Sequence, residues 1–465
     1  MKRVLIITYY WPPSGGSGVQ RWLKFAKYLP QFGWEPVIYT PLNPEANSRD
    51  EALLKDVAPE TEVIKRKIVE PYGIYKALLG KGKDTQIKAN IISNSQEKRS
   101  LMHRFSLFVR GNLFIPDPRC LWIGPSVRYL KRYLKEHPVD AIVSTGPPHS
   151  MHLIAKGVSK ATGIEWIADF RDPWTEIFFF KHLGLGKWAY NRHRKLEQGV
   201  LDSADRVVVV SQKMQEDFAK RTSTPVEIIT NGFDPDDFVQ ENDSRSNSAQ
   251  TSEKFGPEDG ICRKFRLVHT GILVDNGNPN MLWKVLGEMA KENPQFAKDL
   301  EIRAMGQVDQ SIDDDICNSG LKENFVNMGY VAHNEAIRWQ KAADLLLLPL
   351  RKEPEAAAIL TGKFFEYVAA GSPILAFGPH KSNLATELEE CGSGVICEWD
   401  EKDAIRKAIG DAYGRFLNKN GESGRYEGDT REIQMTKAQL KYSRKTLTGQ
   451  LSGLLNNITD NKVTK

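Results

Sequence analysis

The residues best suited to chemistry stand late in the chain, in the stretch TGKFFEYVAAGSPILAF at 361–377. A glycine and a lysine at the start of a helical pattern are typical of a phosphate site, because open amides, the helix dipole and an ammonium all favour an anion. The stretch is not a Walker A loop, since that loop's earlier glycine is Ala357 here and Phe364 replaces its serine or threonine. A different phosphate-binding geometry is therefore expected.

The helix in this stretch is predicted to begin with Thr361 as its N-cap, so that the amides of Gly362 and Lys363 face a ligand. Glu366 follows one turn later on the same face. A carboxylate beside a phosphate is repulsive unless it accepts hydrogen bonds from neutral groups, such as ribose hydroxyls. The pattern thus favours a nucleotide site. The alternative is an exposed Lys363–Glu366 helix pair that contributes a few tenths of a kcal/mol to stability.

Three other glycine-containing loops follow apolar runs. Gly15, Gly16 and Gly18 precede the first helical pattern, where the backbone can approach an anion closely. Their spacing is not G-x-G-x-x-G, so the dinucleotide fingerprint is weak, and a glycine turn made only for packing is the alternative. Gly271 offers a similar amide after a later strand, and GYVAHNE at 329–335 precedes an amphipathic helix.

Two polar loops in the first half could supply catalytic groups. GPPHSMH at 146–152 places His149 one helical turn before His152, and DFRDPWTE at 169–176 groups two aspartates, Arg171 and a glutamate around a tryptophan. Charges at a strand end need a ligand or a partner, so His149, Arg171 and Asp172 are the catalytic candidates. The alternative is a structural Arg171–Asp172 ion pair with His149 as a helix cap. No metal site is predicted, because the histidines lack an acidic third ligand at local spacing.

The elements that position these loops are short apolar runs alternating with helical patterns, as at 4–7, 141–144 and 345–348. Continuous apolar runs indicate strands buried on both faces, hence parallel α/β sheets. We predict two Rossmann-like, doubly wound domains that face each other across a cleft and bind ligands at the carboxyl ends of their strands. The predicted divisions are an N-terminal acceptor domain (1–235), a C-terminal donor domain (236–435) with a polar insertion (240–260), and a C-terminal helix (436–465) packing back on the first domain.

Composition describes an ordinary globular protein: 465 residues, 40% hydrophobic and 26% charged, with a net charge of +5. This charge is too small to indicate nucleic-acid binding. Five cysteines without a C-x-x-C pair indicate reduced thiols. The apolar run after Met1 is too short for a signal peptide, and no run of about 18 apolar residues exists, so a cytoplasmic protein is expected.

Together these motifs resemble the retaining nucleotide-sugar glycosyltransferases of the GT-B class, in particular glycosyltransferase family 4, over nearly the whole chain. GGSGVQ at 15–20 is similar to that family's glycine loop, and ITNGFD at 229–234 to its interdomain signature. DLLLLP at 344–349 and EYVAAGSP at 366–373 look like its paired C-terminal motifs.

The resemblance implies transfer of a sugar from a nucleoside diphosphate sugar to an acceptor hydroxyl, with retention and without a metal or other cofactor. Glu366 would bind the ribose, and the backbone of Tyr330 and Val331 would read the base. The acceptor would be a glycan or lipid-linked molecule in lipopolysaccharide, capsule or exopolysaccharide biosynthesis. The implied diphosphate-binding residues are Gly15, Gly16, Gly18, Gly271, Thr361, Gly362 and Lys363.

The chain departs from the family pattern at three places. Ala358 stands where the family has a sugar-binding glutamate, so Glu353 or Glu355 is expected to substitute, or backbone amides hold the sugar. The basic pair expected within 269–279 is missing, which leaves the diphosphate to Lys363. Arg171 and Asp172 stand where many relatives have a histidine, so His149 is the expected substitute; Asp172 or Asp169 would hold substrate hydroxyls.

Two alternative functions have the same fold: a nucleotide-sugar epimerase using Asp169, Asp172 and His149 as acid and base, and a sugar-nucleotide-binding protein without catalysis.

The stretch 98–135 carries nine basic residues against the single acid Asp117, with aromatic and leucine residues interleaved. Such a stretch fits an anionic membrane surface, which would make the protein peripheral at the inner face of the cell membrane. A solvated helix face is the alternative. The basic residues are Lys98, Arg99, Arg104, Arg110, Arg119, Arg128, Lys131, Arg132 and Lys135.

Overall fold

The chain folds into two compact units. Met1–Asn231 and Arg444–Lys465 form the first unit, and Gly232–Ser443 forms the second. The structure is a computed structural model, and it describes residues 1–45, 49–70, 111–177, 180, 183–238, 263–358, 360–422 and 435–460. The predicted insertion at 240–260 lies outside these ranges, and so do Lys98, Arg99, Arg104 and Arg110 of the basic stretch 98–135.

The first unit is built on a seven-stranded sheet in the order β3-β2-β1-β4-β5-β6-β7, in which every neighbouring pair is parallel. Its strands are β1 (Lys2–Ile7), β2 (Trp34–Pro41), β3 (Glu62–Arg66), β4 (Ala141–Gly146), β5 (Glu165–Phe170), β6 (Arg206–Val209) and β7 (Val226–Ile228). Its helices are α1 (Ser17–Tyr28), α2 (Ile123–Glu136), α3 (Ser150–Thr162), α4 (Lys187–Leu201), α5 (Gln212–Ala219) and, from the end of the chain, α14 (Arg444–Asp460).

Both faces of this sheet are covered by apolar side chains. One face packs against α2, α3 and α4, and the other against α1 and α14. Leu447, Leu451 and Leu455 of α14 are almost fully buried there. Burial on both faces explains why the strands are continuously apolar rather than alternating.

The second unit contains a six-stranded parallel sheet in the order β10-β9-β8-β11-β12-β13. Its strands are β8 (Phe265–Thr270), β9 (Leu300–Met305), β10 (Phe325–Gly329), β11 (Leu345–Pro349), β12 (Ile374–Phe377) and β13 (Gly394–Cys397). Its helices are α6 (Asn280–Glu292), α7 (Pro294–Asp299), α8 (Gln310–Asn318), α9 (His333–Lys341), α10 (Gly362–Ala370), α11 (Asn383–Cys391), α12 (Lys402–Glu422) and α13 (Lys437–Leu440). Separate apolar clusters cover its two faces.

The strand order of each unit reverses direction at one point, between β1 and β4 in the first unit and between β8 and β11 in the second. In doubly wound sheets, ligands bind outside the carboxyl ends of the strands at such a switch point. The loops after β1 and β4, and those after β8 and β11, are therefore the places where a site is expected.

The prediction of two doubly wound α/β units is confirmed. The division between them falls after Asn231, and Phe233 donates its backbone N–H to the carbonyl of Tyr442 within the second unit (3.2 Å). Among the described residues, no helix has both the length and the apolar composition needed to cross a membrane.

Candidate functional site

The switch point of the second unit holds a lysine against a glycine. Gly271 directly follows β8 with a φ of 105°, and a Cβ placed on it would lie 2.5 Å from Cε of Lys363 and 2.9 Å from its Nζ. Lys363 comes from the first turn of α10, after a different strand. Glycine is required at 271 both for this backbone angle and for the approach of the lysine. The structure thus brings together two residues predicted as diphosphate ligands.

The next two strands on one side of β8 also end in glycine at the same edge of the sheet. Gly306 follows β9 with a φ of 127°, and Gly329 ends β10 with a φ of 64°. The amide of Gly271 donates to the carbonyl of Met305 (2.6 Å), and that of Gly306 donates to the carbonyl of Gly329 (2.6 Å). Three adjacent strands therefore end in glycine. The space beside Gly271 is filled by Lys363 and that beside Gly306 by the backbone of Gly271, whereas the space beside Gly329 is open.

The ammonium of Lys363 is held by a buried histidine. Its Nζ lies 3.1 Å from Nε2 of His269 and 3.4 Å from the carbonyl oxygen of Ile272. Nδ1 of the same imidazole lies 2.8 Å from the carbonyl oxygen of Leu347, which can only accept, so Nδ1 carries the proton. Nε2 of the neutral ring then accepts from the ammonium. Burial and the neighbouring Lys363 lower the pKa of His269 well below its usual range, in agreement with a neutral ring.

Burial also lowers the pKa of the Lys363 ammonium, to about 8; Glu366 opposes this shift and Arg351 adds to it. Arg351 follows β11, on the other side of the switch point from Gly271. A second cation thus lies near Lys363, although the sequence has no lysine or arginine within 269–279. Lys363 turns to His269 rather than pairing with Glu366, which disagrees with the exposed-pair alternative.

Glu366 is oriented by a buried glutamine. Nε2 of Gln340, on α9, donates to Oε2 of Glu366 (3.3 Å) and to Oγ1 of Thr270 (3.0 Å). Thr270 in turn donates its backbone N–H to the hydroxyl of Tyr367 (2.8 Å). The carboxylate remains half-buried at the surface of the unit, where a ligand can reach it.

The other donor residues predicted in the second unit lie around the same edge. Thr361 is the N-cap residue of α10, but its Oγ1 makes no capping bond; it is buried without a hydrogen-bond partner among the described residues. Gly362 is exposed, with open space where a Cβ would stand. Tyr330 and Val331 follow β10, with Tyr330 62% exposed. Glu353 accepts from Nδ2 of Asn276 (2.8 Å), so it links two loops of the unit.

The first unit uses its most buried carboxylate internally. Asp169 at the end of β5 is 1% exposed and accepts from Arg21 Nη2 (2.8 Å), Trp22 Nε1 (2.7 Å) and Thr145 Oγ1 (2.8 Å). Burial raises the pKa of Asp169, but Arg21 and these hydrogen bonds outweigh burial and hold the pKa below its usual value. Asp169 is therefore a structural partner of Arg21 rather than a substrate ligand, which corrects the expectation drawn from sequence.

Arg171 likewise joins loops of the first unit. Its guanidinium donates to the carbonyl oxygens of Gly18 (3.0 Å) and Pro147. A Cβ on Gly18 would lie 3.2 Å from Nη1 of Arg171, so this glycine makes room for the arginine. These backbone contacts take the place of the alternative Arg171–Asp172 ion pair, although the nearby charge of Asp172 still opposes the lowering of the Arg171 pKa by burial. Asp172 itself is exposed. Gly15 and Gly16 precede α1, and Gly16 is its N-cap residue with a φ of 96°.

The two predicted histidines lie together after β4. His149 stacks on Trp174 with ring centroids 4.6 Å apart, and its Nδ1 is buried without a partner among the described residues. His149 is the N-cap residue of α3 but makes no side-chain capping bond. Nδ1 of His152 lies 2.8 Å from Oγ of Ser144. Burial lowers the pKa of His149 well below its usual range and that of His152 to about 3, so both rings are neutral near pH 7.

A buried glutamate that the sequence did not indicate fixes the loop after β5. Glu197 of α4 is fully buried and accepts from the backbone N–H groups of Trp174 and Thr175 (3.2 Å each) and from Arg221 (2.6 Å). It thereby fixes Trp174, on which His149 stacks.

Sequence reasoning also missed His269 and Gln340 in the second unit. His269 stands inside the stretch that we read only for its glycine. Gln340 lies on a helix far from Glu366 in sequence, and only a polar residue at a buried position of α9 could have indicated it.

Comparison with known sequences finds one family in the first half of the chain. Residues 16–237 match the model of Glycosyltransferase Family 4. No curated protein matches the sequence closely enough to count as a relative.

Solved structures of very different sequence share the fold. Sucrose-phosphate synthase from Thermosynechococcus elongatus is 13% identical with a TM-score of 0.59, covering 99% of this chain and 100% of its own. WaaG, a glycosyltransferase involved in lipopolysaccharide biosynthesis, is 16% identical with a TM-score of 0.53, covering 97% and 99%. A mutant of S. aureus TarM in complex with UDP is 10% identical with a TM-score of 0.52, covering 98% and 100%.

The contact between Gly271 and Lys363 predicts unequal effects of alanine at two glycines. Gly271→Ala and Gly320→Ala both place a side chain at positive φ, which costs about 1–2 kcal/mol. The space around Gly320 is open, whereas Gly271→Ala also displaces the lysine. We expect Gly271→Ala to lower the urea-denaturation midpoint clearly more than Gly320→Ala does. Equal midpoints for the two variants would contradict the contact.

Proposed function

We propose that this chain, a GT-B glycosyltransferase whose residues 16–237 belong to glycosyltransferase family 4, transfers a sugar from a nucleoside diphosphate sugar to an acceptor hydroxyl with retention. The donor nucleotide binds to the second unit, at the edge formed by Gly271, Lys363 and Glu366. The first unit contributes the acceptor side. The similarity to WaaG supports a role in lipopolysaccharide or related surface-polysaccharide biosynthesis.

The observation that carries this proposal is the ammonium of Lys363 above Gly271, one turn before Glu366. A diphosphate at this edge gains the ammonium, the open amide of Gly362 and the positive end of the α10 dipole. Arg351 supplies a second positive charge from the loop after β11. Glu366 lies far enough along the helix to accept hydrogen bonds from ribose hydroxyls instead of opposing the phosphates.

These groups suit catalysis by stabilising the leaving group. In the transfer, the bond from the sugar's anomeric carbon to the diphosphate oxygen breaks and a bond to the acceptor oxygen forms. The acceptor's proton passes to the departing diphosphate, so no protein nucleophile is needed. The growing negative charge on the diphosphate is met by Lys363, which His269 holds in place, and by Arg351. Positive groups that are in place before the reaction are the usual source of large rate effects. The donor is a substrate, and the proposal requires no cofactor.

In the first unit, His149 is the proposed contact to substrate hydroxyls. Its neutral ring can donate or accept a hydrogen bond but carries no charge near pH 7. Asp172 is exposed at the next loop and is proposed to assist. An epimerase would need an acid and base pair facing the sugar, and Asp169 is unavailable for that purpose because Arg21 and Trp22 occupy it.

Nucleotide binding tests the donor site. In a thermal-shift panel of UDP, GDP, ADP and their sugars, we expect one nucleoside diphosphate to raise the melting temperature of the wild type. Lys363→Met and Glu366→Ala should each lose most of that shift, while Lys407→Met, on the exposed face of α12, should keep it. Full shifts in both site variants would show that the nucleotide binds elsewhere.

The titration of Lys363 predicts a pH dependence of that binding. The ammonium is charged below its pKa of about 8 and neutral above it, so affinity should be full at lower pH and begin to weaken as the pH rises through about 8. In Lys363→Arg the affinity should not weaken as the pH rises through about 8, because a guanidinium stays charged. Calorimetric titrations from about pH 7 to about pH 9.5 measure the nucleotide affinity of both proteins. If the affinity of the arginine variant weakens over the same pH range, Lys363 is not the cause.

The stereochemical claim needs the product itself. With the donor sugar identified by the panel, the anomeric configuration of the glycoside formed on acceptors from a bacterial lipid extract is read by NMR coupling constants. We expect the donor's configuration to be kept. Inversion would overturn the retention claim, and an isomerised donor sugar formed without an acceptor would support an epimerase instead.

A membrane contact is proposed for the described part of the basic stretch. α2 exposes Lys131, Arg132 and Lys135, while Leu130 and Leu134 face the core. Leu113 and Leu121 are 68% and 53% exposed. Arg119 is not part of this surface, because it pairs with Glu70 inside the unit (2.8 Å).

Liposome flotation tests this surface. Wild-type protein should float with anionic vesicles at low salt and less so at high salt, because each surface cation contributes about 1 kcal/mol to binding an anionic membrane. Reversing Lys131, Arg132 and Lys135 to glutamate should abolish flotation, whereas an equal reversal at Lys402, Arg406 and Lys407 of α12 should not. Equal flotation of both triple variants would disprove a specific contact through α2.

A further inference from the structure

We propose that His269 and Gln340 are positioning residues for the donor nucleotide. His269 holds the ammonium of Lys363 ready for the diphosphate, and Gln340 holds the carboxylate of Glu366 ready for the ribose. The inference rests on the proposed function, since it assigns partners to the two groups of that same site. Neither residue belongs to a motif that the sequence indicated.

The histidine is suited to this role by its tautomer. The carbonyl of Leu347 on β11 accepts from Nδ1, which fixes the ring between the two strands of the switch point and leaves a lone pair on Nε2. That lone pair faces the ammonium of Lys363 at 3.1 Å. A flexible lysine is thereby kept over Gly271 before any ligand arrives. Because the ring is neutral, it directs the ammonium without cancelling the positive charge that a diphosphate needs.

The glutamine is suited to its role by its two amide protons. One is donated to Thr270 Oγ1 and the other to Glu366 Oε2. The opposite amide orientation would place an oxygen against the carboxylate, so the contact with Glu366 fixes the assignment. One oxygen of Glu366 is thus occupied by the protein, and the carboxylate plane is held so that the other oxygen can meet a hydroxyl pair.

The two positioning residues share one buried hydrogen-bond network. The hydroxyl of Tyr367 accepts from Thr270 and lies 3.4 Å from the carbonyl of Leu347, the same oxygen that His269 uses. The path from Lys363 to Glu366 therefore runs through His269, Leu347, Tyr367, Thr270 and Gln340. Residues from β8, β11 and α9 thus hold the ammonium of Lys363 and the carboxylate of Glu366 at a set distance from each other on α10.

Stability alone does not explain the glutamine. Gln340 is fully buried, and its Oε1 has no hydrogen-bond partner among the described residues. An unsatisfied buried acceptor is costly, and an apolar side chain of the same shape would avoid that cost. A glutamine at this position therefore indicates a requirement other than folding, and its contact with Glu366 supplies one.

The experiment uses the full-length protein and the nucleoside diphosphate that binds best among UDP, GDP and ADP, together with its 2′-deoxy and 3′-deoxy forms and inorganic pyrophosphate. Dissociation constants are measured by calorimetry for the wild type, His269→Leu, His269→Gln and Gln340→Met. Lys407→Met, on the exposed face of α12, is the control variant, and melting temperatures are recorded for all five proteins.

His269→Leu should weaken the binding of the nucleoside diphosphate and of pyrophosphate alike, by about three- to tenfold. This is the factor expected when one long side chain must be ordered on binding. It should also move the onset of affinity loss to lower pH, because the ammonium loses its acceptor. His269→Gln should recover part of the affinity, since its amide can donate to Leu347 and accept from Lys363. An affinity for pyrophosphate that is unchanged in His269→Leu would overturn the role of the histidine.

Gln340→Met should leave pyrophosphate affinity unchanged and should not lower the melting temperature. Its preference for the ribonucleotide over the deoxy forms should fall by about tenfold, the loss of one hydrogen bond to a charged group. A variant that melts lower and weakens every ligand by one factor would show a merely structural role. If the wild type binds no nucleotide, the proposed function and this inference fail together; if it binds and both variants match it, only the inference fails.

Discussion

The second unit is organised around one cation that is half-buried at the end of a parallel sheet. An ammonium taken out of water needs acceptors, and Lys363 finds them in the imidazole of His269 and the carbonyl of Ile272. Its stem occupies the space where residue 271 would carry a side chain, so that residue must be glycine. The end of β8, the start of α10 and the ring between β8 and β11 are consequently fixed relative to one another. Without the ring, the ammonium would keep only the carbonyl of Ile272 as an acceptor.

In the first unit, the buried charged groups Asp169 and Glu197 are fully paired within the protein. Asp169 has every accessible lone pair occupied by Arg21, Trp22 and Thr145, and Glu197 is consumed by backbone amides and Arg221. Such saturated carboxylates hold loops in place and have nothing left for a ligand. Lys363 and Glu366 each keep part of their hydrogen-bonding capacity facing outward. Charged groups whose hydrogen-bonding positions are all occupied by the protein are structural, and those with positions left open can bind a ligand.

Preorganisation follows from the polar network behind α10. A diphosphate leaving group develops charge during transfer, and donors that are already in place stabilise it without reorganisation. The network connecting Lys363 to Glu366 has few rotatable parts, because tyrosine, threonine and histidine are held by backbone groups of β8 and β11. The glycines after β8 and β9 let the lysine and the neighbouring backbone pack closely at the same edge, so the charge is held where the chain has no bulky side chains.

The sequence by itself determined the two doubly wound units, because its short, continuous apolar runs alternate with helical patterns, as strands buried on both faces require. It also placed Gly271 in a loop after such a strand, and Lys363 and Glu366 in the first turns of a helix. Local spacing could not show that Asp169 is neutralised by Arg21, that Arg171 connects two loops, or that Arg351 lies near enough to Lys363 to lower its pKa. It could not show that His269 and Gln340 contact the side chains of Lys363 and Glu366. These facts were decided by tertiary structure, since a side chain's partners come from strands and helices distant in sequence, and only the parallel stacking of their carboxyl ends brings those partners within hydrogen-bonding distance.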